Sequence, residues 1–233
     1  MDILTVKGLE ASYGLSQILF GVDVKVAQGE SVCLLGRNGV GKTTTMRAIM
    51  GSLKPGKGSV VFAGQELAGA PSYQVCRKGI SYVPQGRHIF SNLTTRENLL
   101  VAQRKGPDGS NFWTLEKIYE LFPRLQEREN SMGSNLSGGE QQMLAVARGL
   151  MQNPKLMLLD EITEGLAPVV VQELVEITKQ LREMGVSILL AEQSVKFALA
   201  VSTQCYILEK GQVVYSGESD KIPEEVFREH LGT

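Results

Sequence analysis

The stretch Ser31-Val32-Cys33-Leu34-Leu35-Gly36-Arg37-Asn38-Gly39-Val40-Gly41-Lys42-Thr43-Thr44 decides the fold. Residues 36–43 fit the phosphate-loop pattern G-x-x-x-x-G-K-[ST]. In that pattern glycines let successive backbone N–H groups face a phosphate chain, while the lysine and hydroxyl reach the phosphates and a magnesium ion. Ser31 to Leu35 reads as a buried strand, and Lys42 to Met50 carries a helical pattern that stops at Gly51. The loop therefore joins a strand to a helix N-terminus, whose partial positive charge favours an anion. An α/β nucleotide-binding core follows, and the lack of an N-K-x-D-type motif after the loop argues against guanine as the base.

At 233 residues the chain suits one domain, residues 1–233, with room for a subdomain, and a single phosphate loop argues against two fused ATPase units. The 24 Lys+Arg balance 25 Asp+Glu, and no basic run is interleaved with aromatics, so nucleic acid is not an expected partner. Cys33, Cys76 and Cys205 are widely spaced and form no C-x-x-C pair, which reads as inert thiols in a reducing, cytoplasmic compartment. Met1 to Val6 lacks the segments of a secretory signal, and apolar runs such as Leu156 to Leu159 fall far below the ~20 residues of a spanning helix. Work at a membrane is expected to need another chain to cross it.

Short β-branched runs at 3–6, 18–20, 22–26 and 59–62 predict an antiparallel layer beside the loop, with Tyr13 in its first turn. Residues 71–78 read as a short helix, and 80–84 as a strand whose end carries Gln85. From about Gly86 to Leu150 helical spacing dominates, near 95–104, 112–121 and 137–152, with a loop at 105–110. This predicts a helical subdomain at approximately 86–150. Leu156-Met157-Leu158-Leu159-Asp160 is a continuous apolar run ending in acid, the pattern of a central parallel strand that delivers a carboxylate to its C-terminal edge. Residues 168–184 read as an amphipathic helix, 187–191 as a buried strand, and 206–208 with 213–215 as a hairpin.

Asp160 and Glu161 suit two tasks: Asp160 can hold magnesium through its water shell, and Glu161 can orient and deprotonate the water that attacks a γ-phosphate. An acidic pair at a strand end is in isolation as readily a solvated cap as a functional pair; behind a phosphate loop it points to hydrolysis. Ser137 reads as the N-cap of a helix beginning Gly138-Gly139-Glu140, whose glycines leave first-turn N–H groups open to a second phosphate.

In this order the motifs resemble the nucleotide-binding subunit of the ATP-binding-cassette (ABC) superfamily, over essentially the whole chain. The resemblance implies a RecA-like phosphate-loop NTPase core with an antiparallel β layer and an inserted helical subdomain, and ATP and Mg2+ as ligands. It implies that Tyr13 stacks on adenine and that Gly36, Arg37, Asn38, Gly39, Val40, Gly41, Lys42, Thr43 and Thr44 hold the triphosphate. Thr43, Gln85 and Asp160 would serve the magnesium, Glu161 and Gln85 the attacking water, and Gln193 would sense the γ-phosphate. Ser137, Gly138 and Gly139 would complete the site of a second ATPase subunit, the same or homologous, in a head-to-tail dimer. The implied partners are membrane-spanning permease subunits and, indirectly, a solute-binding protein, with the chain peripheral at the cytoplasmic face. The permease contact is expected near Gly86 to Leu93.

Finer resemblance divides. Pro84-Gln85-Gly86-Arg87, Phe90, Glu97-Asn98-Leu99, Glu120 to Leu125, Glu140 to Leu144, Gly165 to Pro168 and Glu192-Gln193 look like the ATPases of Liv-type branched-chain amino-acid importers. Leu35 to Val40 and Thr163-Glu164-Gly165 look more like the urea and short-amide relatives. Ile162, Ala167 and Gln193 stand where the superfamily usually has proline, aspartate and histidine. The reading is an ATPase subunit that powers import of branched-chain or other amino acids. The alternatives are a urea or short-amide importer, a non-transport ABC ATPase, and a degenerate cassette that serves as a scaffold. His88 reads as a surface loop residue and His230 as part of a C-terminal amphipathic helix.

Overall fold

The computed structural model describes residues 1–231. Its strands are β1 (Asp2–Tyr13), β2 (Ser16–Ala27), β3 (Ser31–Leu35), β4 (Lys57–Phe62), β5 (Gln65–Glu66), β6 (Ile80–Val83), β7 (Leu156–Asp160), β8 (Ser187–Glu192), β9 (Gln204–Glu209) and β10 (Gln212–Glu218). They form two sheets, an antiparallel one ordered β2-β1-β4-β5 and a larger one ordered β10-β9-β3-β8-β7-β6. Within the larger sheet β9, β3, β8, β7 and β6 run parallel, and β10 closes the edge as a hairpin on β9.

Every residue of β3, β7 and β8 is buried, which is why these strands read as unbroken apolar runs. Alternate side chains feed two cores. Leu34, Leu158 and Leu189 join the apolar residues of the antiparallel sheet, while Leu35, Leu159 and Leu190 face the helices on the other side.

The helices are α1 (Lys42–Ile49), α2 (Ser72–Arg77), α3 (Thr95–Leu100), α4 (Leu115–Leu121), α5 (Pro123–Glu127), α6 (Gly138–Leu150), α7 (Pro168–Glu183), α8 (Val195–Val201) and the short α9 (Glu224–Val226), which runs into a π-helical turn at Phe227–Leu231. Between β6 and β7 the chain is helical, as its spacing indicates. None of these helices is long and apolar enough to cross a membrane.

Three local differences from the sequence reading have physical causes. The runs at 18–20 and 22–26 are one strand, β2, because Gly21 takes φ 88° and absorbs a register shift opposite Leu9 and Glu10. The helical stretch near 112–121 begins only at Leu115, because Thr114 caps it and Asn153 holds the preceding turn. The Asn153 side chain accepts from Trp113 N at 2.7 Å and donates to Arg104 O at 2.9 Å. Residues 195–201, for which the sequence reading gives no element, form α8, capped by the Ser194 side chain.

Candidate functional site

The C-terminal ends of β3, β6, β7 and β8 share one edge of the sheet, and the segments leaving that edge carry the sequence-predicted residues. The loop after β3 is shaped by its glycines. A Cβ at Gly36 would lie 2.5 Å from Leu208 O, so only glycine permits that approach. Gly41, at φ 113°, passes against Leu19, where a Cβ would meet Cδ2 at 2.7 Å. Among the described residues, the first backbone hydrogen bond into α1 is Thr45 N to Gly41 O at 2.9 Å. The N–H groups of the preceding turn are thus left for an anion, and the loop fits a polyphosphate.

Lys42 lies at the centre. Its Nζ donates to Gly36 O at 2.8 Å and to Arg37 O at 2.9 Å, and stands 3.0 Å from Glu161 Oε1. Glu161 in turn accepts from Gln85 Nε2 at 3.1 Å, and the same amide donates to Glu164 Oε2 at 2.7 Å. Thr43 Oγ1 donates to Asp160 Oδ1 at 3.1 Å, and Tyr82 OH donates to Asp160 Oδ2 at 2.8 Å. Five residues drawn from three segments are thus brought together by these contacts: Lys42, Thr43, Gln85, Asp160 and Glu161. The Thr43–Asp160 oxygen pair is the hard donor set a magnesium ion takes, usually with waters completing its shell.

Burial acts in the same direction on two of the acidic groups at this edge, Asp160 and Glu192. Burial raises the Asp160 pKa above the usual range, while the hydrogen bonds from Tyr82 and Thr43 oppose that rise. Tyr82 is itself raised, first by burial and then by the Asp160 charge, so it stays a donor. Glu192, 1% exposed at the end of β8, is pushed up to about 7 by burial, with the Thr163 hydrogen bonds opposing.

Gln193 lines a cavity with Glu161, Thr163 and Glu164 and a second one with Gly36 and Arg37, so it faces both the acidic segment and the loop. Tyr13 closes the β1–β2 hairpin, 44% exposed, and its hydroxyl accepts from Arg47 Nη1 of α1 at 3.3 Å. Ser137 caps α6 in a reciprocal box with Glu140. Gly138 lies under the Arg87 guanidinium and Gly139 against Val170. Among the described residues no hydrogen bond joins Ser137, Gly138 or Gly139 to the phosphate loop. His88 is exposed, and His230, in the π-helical turn, has Nδ1 2.7 Å from Glu209 Oε2.

Sequence reasoning passed over Tyr82, Glu164, Thr163 and Glu192 as site residues. Glu192 carried the same signal as Asp160, a charged residue closing an apolar strand at the functional edge.

A glycine-shaped phosphate loop opposite the carboxylates at the end of β7 is the arrangement of a nucleoside-triphosphate-hydrolysing cassette. Residues 19–164 match the ABC transporter family. The chain is 45% identical over 202 residues to the high-affinity branched-chain amino acid transport ATP-binding protein BraG of Pseudomonas aeruginosa, covering 87% of each chain. It is 34% identical to the lipopolysaccharide export system ATP-binding protein LptB of Haemophilus influenzae, covering 100% of this chain and 98% of that one. A crystal structure of a nucleotide-free ATP-binding cassette from an ABC transporter superposes with TM-score 0.83 at 25% identity, covering 100% of this chain and 96% of the other. The chain belongs to the ABC transporter family and is an ATP-hydrolysing subunit within it.

Proposed function

We propose that this chain hydrolyses ATP to power import of branched-chain or other amino acids through separate membrane-spanning permease subunits, at whose cytoplasmic face it sits as a peripheral subunit. The likeness to BraG supports the solute class, because the identity to the export protein LptB is lower. In this reading residues 1–233 are one cassette with the helical subdomain at approximately 86–150, and a solute-binding protein acts indirectly.

The observation that carries the mechanism is the linked set Lys42–Glu161–Gln85 beside Thr43–Asp160. Gly36 to Thr44 would cradle the triphosphate through backbone N–H groups, and the Lys42 ammonium would turn from Glu161 to the β- and γ-phosphates. Mg2+, held by Thr43, Asp160 and Gln85, would neutralise charge on the phosphate oxygens. Glu161 accepts the proton of the attacking water, and Gln85 fixes its carboxylate. Gln193 donates to a γ-phosphate oxygen, and Tyr13 stacks on the adenine.

Ser137, Gly138 and Gly139 would reach the nucleotide of a second ATPase subunit, the same or homologous, which fits their lack of hydrogen bonds to the phosphate loop of their own chain. Phe90, 43% exposed beneath the Arg148 guanidinium at 4.4 Å, offers an apolar contact for a permease within Gly86 to Leu93. Uptake of labelled leucine and of urea, in cells with and without this chain, tests the solute class. Loss of leucine uptake alone supports the reading, and loss of urea uptake alone rejects it.

A further inference from the structure

Glu161 takes φ 47°, a left-handed conformation that costs a residue with a side chain roughly 1–2 kcal/mol and persists only where its surroundings impose it. The end of β8 supplies those surroundings. Glu161 N donates to Ala191 O at 2.8 Å. Two residues on, Thr163 N donates to Glu192 Oε1 at 3.2 Å, and Thr163 Oγ1 lies 3.1 and 3.0 Å from the two Glu192 oxygens. Ile162, between these grips, is 1% exposed and packed into the core.

The acceptor in this clamp is costly. Among the described residues no cation pairs with Glu192. The charges around it are Glu161 and Glu164 on the segment after β7, with Lys42 of α1 beyond Glu161. A buried carboxylate without a cation is an expensive partner for one threonine, and a neutral acceptor would stabilise the fold more. What the carboxylate offers is acceptor capacity: both oxygens accept, so the Thr163 N–H and O–H are engaged together.

We propose that Glu192 is a positioning residue for ATP hydrolysis, holding Thr163 so that the backbone of Glu161 stays left-handed and its carboxylate stays aimed at the attacking water. The proposal rests on the reading of Glu161 as the base, because Glu192 acts only through it. The clamp also supplies stiffness to a segment in which Ile162 leaves the backbone free of proline's constraint. When Glu192 is protonated, one oxygen becomes a donor and the grip on Thr163 weakens, so turnover rises with pH through about 7.

The test uses the purified full chain, with steady-state ATPase rates against ATP concentration and pH, and thermal melts, for Thr163→Val, Thr163→Ser, Glu192→Gln and, as reference, Glu161→Gln. Thr163→Val and Glu192→Gln are expected to lower kcat about tenfold or more, with KM for ATP within about twofold, because the phosphate loop is untouched. Thr163→Ser restores the hydroxyl and should turn over near the wild-type rate. Glu192→Gln should flatten the rise in rate near pH 7 and melt no lower than wild type at pH 8. A merely structural clamp would give the opposite, a lower melting temperature with kcat kept. If Thr163→Val and Glu192→Gln turn over like wild type while Glu161→Gln is inactive, the positioning role is rejected and the base stands. If Glu161→Gln also turns over like wild type, both readings fall. Should Thr163→Val not fold, Glu192→Gln and Thr163→Ser decide between these outcomes.

Discussion

Lys42 Nζ and Glu161 Oε1 stand 3.0 Å apart, with the two side chains only 2% and 10% exposed, so the loop lysine and the proposed base neutralise each other. A γ-phosphate that reaches this ammonium competes with Glu161 for it. In the proposed mechanism, binding and freeing of the base would then be one event: the phosphate would draw Lys42 away and leave the Glu161 carboxylate to its water.

Removing the cation should expose that coupling. Among the described residues, Lys42→Ala leaves the buried Glu161 carboxylate with only the Gln85 amide as partner, and breaking a buried pair from one side costs about 3–5 kcal/mol. The expected result is loss of ATP turnover together with a lowered denaturation midpoint. Adding Glu161→Gln to Lys42→Ala should recover part of that stability without restoring activity. A single variant as stable and active as wild type would contradict the phosphate-loop assignment.

Neutralising the base has the opposite signature. Glu161→Gln keeps the shape, loses the basicity and removes the competitor for Lys42. Hydrolysis should stop while ATP affinity rises, read as a larger Mg-ATP-induced increase in melting temperature than in wild type. Size-exclusion chromatography in ATP should show a dimer, because Ser137, Gly138 and Gly139 of one copy would then rest on uncleaved nucleotide of the other.

Tyr82 orients Asp160 from the side away from Thr43. Tyr82→Phe deletes that donor and leaves the ring in place. Losing a partner that orients a ligand typically costs 10-fold or more in metal affinity. The magnesium concentration for half-maximal ATPase activity should rise about tenfold, with the rate at saturating magnesium largely kept. An unchanged magnesium dependence would remove Tyr82 from the site.

The phosphate loop, Asp160 and Glu161, and the helix start at Ser137 to Glu140 were legible because each is written in consecutive residues at an element boundary. Leu156 to Asp160 announced its strand and its edge through one apolar run closed by an acid. The contacts that aim these groups were not legible, because they join residues far apart in the chain: Tyr82 reaches Asp160 across 78 positions and Thr163 reaches Glu192 across 29. The extent of β2 was hidden for a different reason, since Gly21 reads as a turn residue and here absorbs a register shift inside a strand.

Glu192 should leave a mark on stability as well as on rate. Its folded pKa, about 7, lies above the ordinary 4.5, so the folded state binds this proton more tightly than the unfolded chain. The stabilisation is full below about pH 4.5 and is lost as pH rises to about 7. Glu192→Gln has no such proton. The melting temperature of wild type minus that of Glu192→Gln should therefore fall steadily across this window and level off above it. A difference that stays flat from pH 4.5 to 8 would show that Glu192 ionises normally.

Gln193 follows Glu192 directly and faces both the segment after Glu161 and the loop at Gly36 and Arg37. Its amide can donate to a γ-phosphate oxygen, but it carries no charge that titrates near neutral pH. Gln193→Ala should therefore lower turnover more than ATP affinity, because the interaction forms with the γ-phosphate as it is displaced and adds little to binding of the whole nucleotide. Gln193→His should keep activity and acquire a new pH dependence between about 6 and 7, near the reference histidine pKa. Glu192 titrates close to that window, so the profile of Gln193→His is best measured in the Glu192→Gln background, where only the new imidazole remains. Should Gln193→Ala hydrolyse ATP at the wild-type rate, the proposed γ-phosphate contact of Gln193 is rejected.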